Sequence, residues 1–161
     1  MAGVEVERWM SVVKGKRTPT DSKLETAERF KMLCSYTLTI CKNEKHFPKR
    51  NRWLLTAPIV KSSVDAYAYI KRANAVEVVT YRDYEQRREY QIRAKAEIEV
   101  LLGLIEIAYT TLGSLEGDQV EYWTAVTEDA AAMLTRWRNA DRRRYKAMLE
   151  AKGEWKNDGN A

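Results

Sequence analysis

The stretch YEQRREYQIRAKAEIEVLLGLIEIAYTTL, residues 84–112, decides the fold class. Along it, apolar or small residues recur every three or four positions, which is the spacing of one face of an α-helix. The predicted buried face consists of Gln91, Ala94, Ile98, Leu101, Ile105, Ala108 and Leu112. Thr80 or Asp83 is suited to cap its start, and Gly113 is suited to the position just past its end. The stretch therefore predicts one long amphipathic helix, the third of four.

The first and second predicted helices precede it. The first begins after Asp21 or Ser22 as N-cap and ends near 43–45, because Pro48 disfavours helix at Phe47. The second spans 51–74, and Pro58 makes its first turns irregular. The predicted buried faces are Ala27, Phe30, Leu33, Thr37 and Ile40 in the first helix, and Trp53, Thr56, Val60, Ser63, Tyr67, Ile70 and Asn74 in the second.

The fourth predicted helix begins at Asp118 and extends to about Leu149. Its inward residues are Val120, Trp123, Thr127, Ala130, Leu134 and Trp137. Four amphipathic helices with short connections favour an all-α fold, an antiparallel up-down-up-down four-helix bundle over residues 22–149. Residues 1–21 are expected to be a flexible basic arm, in which Met10 is a possible second start, and residues 150–161 a frayed tail.

The lengths of the apolar runs and the spacing of the two cysteines indicate the cellular compartment of the protein. No apolar run reaches the roughly 18 residues that a membrane-spanning helix needs, and the N-terminus lacks the pattern of a signal peptide. Cys34 and Cys41 lie seven positions apart, which places their Cα atoms about 10 Å apart in a helix, too far for a disulfide. Two buried thiols in a reducing environment predict a cytoplasmic protein.

Charge is segregated along the chain. Residues 96–135 contain no Lys or Arg but eight acids. Basic residues concentrate in two groups, the first in the connection between helices 1 and 2 and the second near the start of helix 3 and the end of helix 4. We call the first the loop cluster, Lys45, Lys49, Arg50 and Arg52, and the second the arginine cluster, Arg87, Arg88, Arg136, Arg138, Arg142, Arg143, Arg144 and Lys146.

The arginine cluster favours nucleic-acid binding, because the planar guanidinium suits phosphate oxygens and stacks on bases. Tyr84 and Tyr145 are expected to add stacking surfaces. A helix C-terminus also attracts cations through its dipole, but that explains one or two bases rather than six in residues 136–146. The loop cluster has two open interpretations: it neutralises Glu116, Asp118 and Glu121, or it binds phosphate or an acidic partner. Phe47 and Trp53 are expected to be buried anchors of this loop.

The residues needed for common catalytic and metal sites are sparse. His46 is the only histidine, so a Cys/His zinc site or a Ser-His-Asp triad is not available, and a surface role is expected for it. Glu97, Glu106, Glu121 and Glu128 lack the Glu-x-x-His motif of di-iron bundles. We therefore predict no enzyme activity, no catalytic residue, no metal and no cofactor.

Several motifs in order resemble a known family. They are NEKHFPKRNRW (43–53), IKRAN (70–74), YEQRREYQIRAKA (84–96), IAYTTLG (107–113), YWTAV (122–126) and LTRWRNADRRRY (134–145). Together they are similar to the accessory variability determinant of diversity-generating retroelements, over about residues 24–146. The Phe-Pro turn also occurs in the four-helix-bundle protein of ribosomal RNA intervening sequences, but SSVDAYAYIKRAN (62–74) departs from the Asn-Ile-Ala-Glu-Gly string common there.

The resemblance implies a four-helix bundle assembled as a ring-like homopentamer. It implies a non-catalytic accessory subunit that binds the reverse transcriptase and its template RNA and cDNA, and supports error-prone reverse transcription during mutagenic retrohoming. Aromatic surface at Tyr36, Tyr69, Tyr109 and Trp155 independently favours self-association. The alternatives are a protein of the intervening-sequence type, or a structural adaptor that meets only an acidic protein.

Overall fold

The computed structural model describes residues 22–153, which form helices and turns and contain no β-strand. The α-helices are α1 (Ser22–Lys42), α2 (Ala57–Ala75), α3 (Tyr81–Leu112), α4 (Gly117–Arg144) and α5 (Lys146–Ala151). A 3₁₀-turn (Lys49–Asn51) and a π-helical turn (Arg52–Thr56) precede α2. The predicted all-α class is therefore confirmed for this part of the chain. The predicted N-terminal arm, the N-cap Asp21, and residues 154–161 of the predicted tail with Trp155 lie outside the described residues.

Helix α3 has the ends that the sequence predicts. Thr80 caps it, since its hydroxyl accepts a hydrogen bond from the backbone N–H of Asp83 at 3.3 Å. The Asp83 carboxylate in turn accepts from the backbone N–H of Thr80 at 2.7 Å, which completes a capping box. At the other end, Gly113 has a φ of 64°, a conformation that glycine adopts without a steric penalty.

The four long helices contact one another in a closed cycle: α1 packs on α2 and α4, and α3 packs on the same two helices. Helices α1 and α4 run in opposite directions. On α1 and α4, the Thr26 hydroxyl lies 3.3 Å from the carbonyl oxygen of Met133, whereas Thr37, further along α1, accepts from the Trp123 indole at 3.0 Å. These contacts surround a core that includes Phe30, Leu33, Ile98, Trp123 and Trp137.

Most predicted core residues are buried, but the predicted buried face of the second helix is partly wrong. Trp53, predicted as an anchor, is 83% exposed, and Val60, Tyr67 and Asn74 are only half-buried. The buried residues of α2 are Ile59, Ser62, Ser63, Ala66, Ile70 and Ala73, which confirms Ser63 and Ile70 and adds four that were not predicted. Four of these six side chains are small, so size as well as hydropathy determines which residues of α2 are buried.

Helix 4 is also shorter than predicted. Helix α4 ends at Arg144, and Tyr145 (φ −101°, ψ 19°) separates it from α5, whose Leu149 is buried. The end of α4 contacts the beginning of α3 through Arg87 and Asp141, and most of the predicted arginine cluster lies at this contact.

Candidate nucleic-acid interface

Two ends of the molecule carry the predicted basic groups. At one end, the loop after α1 contacts the α3–α4 connection, because the Ser114 hydroxyl donates to the carbonyl oxygen of His46 at 2.6 Å. At the other end, Arg87 of α3 reaches both the α2–α3 connection and the last turns of α4. Helix α3 joins the two ends, and its 32 residues span about 48 Å.

Arg87 does not belong to a binding surface, which corrects the sequence prediction. It is 4% exposed, and its guanidinium pairs with Asp141 at 3.3 Å and donates to the carbonyl oxygen of Val76. The Gln91 amide donates to the same carboxylate at 3.1 Å. Burial raises the pKa of Asp141, against the attraction of Arg87 and the hydrogen bond from Gln91. Arg87 therefore joins α3 to α4 rather than to a ligand.

The neighbouring arginines remain accessible. Arg88, Arg136, Arg143 and Arg144 are exposed, and Arg138 and Arg142 are half-buried. Burial lowers the pKa of Arg138, and the nearby charge of Arg88 lowers it further, so two guanidiniums from α3 and α4 lie close enough to repel. Within residues 22–153, neither Arg88 nor Arg138 has a carboxylate within ion-pairing distance. Lys146, in contrast, lies 3.7 Å from Glu150.

The predicted stacking role of Tyr84 is wrong. Its side chain is 8% exposed, and its ring meets Tyr145 edge to face at 5.8 Å between centroids. The Arg87 guanidinium lies 6.0 Å from the Tyr145 ring. Both rings are thus occupied by contacts within the protein, and the surface beside them offers cations rather than open aromatic faces.

The loop cluster is exposed at the opposite end, where Lys45, Lys49, Arg50 and Arg52 all reach solvent. Lys49 pairs with Glu44 at 3.2 Å. In the described part of the chain, none of the four forms an ion pair with Glu116, Asp118 or Glu121, so both interpretations of this cluster stay predictions.

His46 positions this loop. It is half-buried rather than at the open surface, because its Nδ1 lies 3.1 Å from the carbonyl oxygen of Ser114 and its Nε2 lies 3.1 Å from the Gln119 amide. These bonds join the loop to the start of α4. The histidine is therefore a structural link between two connections, which its place in a basic loop did not reveal.

Trp53 is the exposed residue that the sequence analysis missed. Its indole lies beside Arg50 and Arg52 in sequence, and its large exposure contrasts with burial of Phe47, the other predicted anchor, at 3%. The only sequence feature that pointed to this exposure is Pro58. It predicts an irregular turn but does not indicate which side chains the turn exposes.

Residues 22–153 contain neither a metal-binding cluster nor a membrane-spanning helix. No group of three or more His, Cys, Asp or Glu residues within 22–153 is arranged to hold a metal ion. No helix in this region is both long and apolar enough to cross a bilayer. No protein-family model, curated protein or solved structure matches the chain.

Proposed function

We propose that the protein is a non-catalytic, nucleic-acid-binding accessory subunit of a diversity-generating retroelement. In this role it binds the reverse transcriptase, the template RNA and the cDNA in the cytoplasm, and supports error-prone reverse transcription. The closed cycle of helix contacts, in which α1 and α4 run in opposite directions, supports an antiparallel four-helix bundle as its fold. We further propose that it assembles as a ring-like homopentamer, on the resemblance described above.

The observation that carries this proposal is the unneutralised pair Arg88 and Arg138, with Arg142 and Arg143 on the adjoining turns. Like charges held together on two helices cost free energy in the isolated protein. An anion that bridges them removes that cost, and a phosphate oxygen is a strong acceptor for guanidinium. A surface that was merely solvated would not need arginines from two helices at one place.

Replacing Arg142, Arg143 and Arg144 together with Ala tests the proposal. We expect weaker binding to the template RNA and a flatter salt dependence, because each phosphate contact contributes to counterion release. A filter or mobility assay measures the Kd. The matched control replaces Lys31, Lys61 and Lys95, three exposed lysines elsewhere, so that net charge changes equally.

Equal affinity for the wild type and the triple arginine variant contradicts the proposal. In that case the structural adaptor becomes the better interpretation. An adaptor would capture an acidic protein partner that nuclease treatment does not release.

A further inference from the structure

Trp53 presents an unusually open aromatic surface. Its side chain is 83% exposed, and that of the next residue, Leu54, is 81% exposed. Within residues 22–153, no ring or cation engages the indole. Large aromatic side chains bury most of their area in a folded chain, so an exposed indole next to an exposed leucine provides an apolar surface for a contact.

The π-helical turn fixes this exposure. Ala57 donates its backbone N–H to the carbonyl oxygen of Arg52, five residues back, so the turn is wider than an α-helical turn. Pro58 accounts for the widening: its ring has no N–H and would clash with the carbonyl of Leu54 in a regular helix. Leu55 is buried beneath the turn and secures it, which leaves Trp53 and Leu54 facing outward.

Basic residues lie close to Trp53 in the sequence. Lys45, Lys49, Arg50 and Arg52 lie within eight residues of each other, and Glu44 is the one nearby acid with which any of them pairs in the described part of the chain. Two open clefts flank the turn. One, of about 330 Å³, is lined partly by Lys49 and Arg52, and the other, of about 370 Å³, partly by Arg50 and Asn51.

We infer that Trp53 is a stacking platform for an unpaired nucleobase, with Lys49, Arg50 and Arg52 holding the flanking phosphates. The inference rests on the proposed function and narrows its ligand to a single strand, since bases in a duplex do not expose their faces. An aromatic ring among basic side chains is the arrangement with which proteins bind single strands of any sequence. The excess of cations over acids favours this ligand over an apolar protein surface.

The test is the Kd of the full chain for a fluorescently labelled oligoadenylate RNA. Trp53→Ala should weaken binding by about 5- to 150-fold, the range for loss of one stacked base. Trp53→Phe keeps an aromatic face and should stay within about threefold of the wild type. Trp53→Leu keeps apolar bulk without a π face and should behave like Trp53→Ala.

Two controls isolate the contribution of the Trp53 indole to RNA binding. Val79→Ala removes another large exposed apolar side chain, 71% exposed at the opposite end of the molecule, and should leave the Kd unchanged. A labelled RNA duplex of the same length should bind the wild type and Trp53→Ala equally. Because Trp53 is exposed, thermal melting should show all variants folded.

Three results would overturn the inference. Trp53→Leu binding as tightly as the wild type would show apolar contact rather than stacking. A change in particle mass on light scattering for Trp53→Ala, with the RNA affinity unchanged, would assign this surface to a protein contact. An unchanged Kd for Trp53→Ala, beside a weakened Kd for the triple arginine variant, would reject stacking and leave the proposed function standing; if neither variant weakens binding, both fail.

Discussion

At the scale of single residues, a buried ion pair governs the end of the molecule that carries the arginine cluster. The side chains of Arg87 and Asp141 are 5% and 4% exposed. The Arg87 guanidinium also lies 6.0 Å from the Trp137 ring. The positions of the two residues continue the buried faces of α3 and α4, so both charges occupy core positions and satisfy each other there. The pair fixes the turns that carry Arg88 and Arg138.

Removing one partner of this pair should be costly. Asp141→Ala leaves the Arg87 charge buried and uncompensated, and should lower the free energy of unfolding by about 3–5 kcal/mol. Urea denaturation followed by circular dichroism measures it. The matched control is Glu89→Ala, which breaks the exposed pair of Glu89 with Arg93 (2.6 Å) on the same helix and should cost under about 1 kcal/mol. Equal losses would show that the buried pair has no special role.

The two cysteine thiols should be inert in the folded protein. Both are free and buried, and burial raises the pKa of Cys41 to about 12 and that of Cys34 in the same direction. Since the thiolate is the reactive form, Ellman's reagent at pH 8 should label neither thiol until urea unfolds the chain. Rapid labelling without denaturant would contradict the burial.

The raised pKa of Cys41 also predicts a pH dependence. A group whose pKa is higher in the folded state contributes stability below its unfolded pKa and loses it as the pH rises through the folded value. The free energy of unfolding should therefore fall between about pH 9 and pH 12, and Cys41→Ala should reduce that fall. Denaturant titrations at pH 8 and pH 11 compare the two proteins, and parallel losses in both would exclude Cys41 as a source.

At the scale of elements, small residues let α2 approach its neighbours. Ala66 and Ala73 are fully buried, and protein interiors are close-packed, so a larger side chain at either position has to displace its neighbours. Ala66→Leu should overpack this contact and lower the free energy of unfolding by about 1–3 kcal/mol. The same substitution at the exposed Ala96 of α3 is the control and should be nearly neutral. Similar melting temperatures for both variants would show that the contact tolerates bulk.

The start of α3 depends on its capping box. Thr80→Ala removes the hydroxyl that accepts from Asp83 and should cost about 1 kcal/mol. Thr39→Ala is the control, because the Thr39 hydroxyl only bonds back to Ser35 within α1 at 2.9 Å, and Ala favours a helix interior. Thermal unfolding compares them; a Thr39→Ala loss as large as that of Thr80→Ala would contradict a specific capping effect.

At the scale of the whole molecule, the sequence predicts the helices better than the surfaces. The faces of the first, third and fourth helices follow from apolar periodicity, because large side chains mark them. The predicted face of the second helix is only partly right, because four of its six buried residues are small and Pro58 imposes a π-helical turn. The predictions for Arg87, which is buried, and for Trp53, which is exposed, are wrong because both rest on residue type. Arginine is usually exposed and tryptophan is usually buried. Here Arg87 is buried because it lies on the inward face of α3, and Trp53 is exposed because it lies on the π-helical turn.

The two basic ends give the molecule an extended charge pattern. They lie at opposite ends of α3. Residues 96–135, which carry no Lys or Arg, form the second half of α3 and the first part of α4. A single RNA strand that bound both clusters would have to extend along the length of α3, whereas a short oligonucleotide would occupy only one cluster. The arginine cluster and the loop cluster should therefore be separable by mutation, with roughly additive effects on binding to short strands because the sites are distant.

The salt dependence of single-stranded RNA binding tests the central claim most directly, since its slope counts phosphate contacts. Replacing Arg88 and Arg138 with Ala should make the slope of log K against log salt concentration shallower by about 1.4, from about 0.7 per contact on a single strand. Replacing Lys31 and Lys95, exposed lysines outside both clusters, should leave the slope as in the wild type. A slope unchanged by loss of Arg88 and Arg138 would contradict the account, because these arginines would then hold no phosphate.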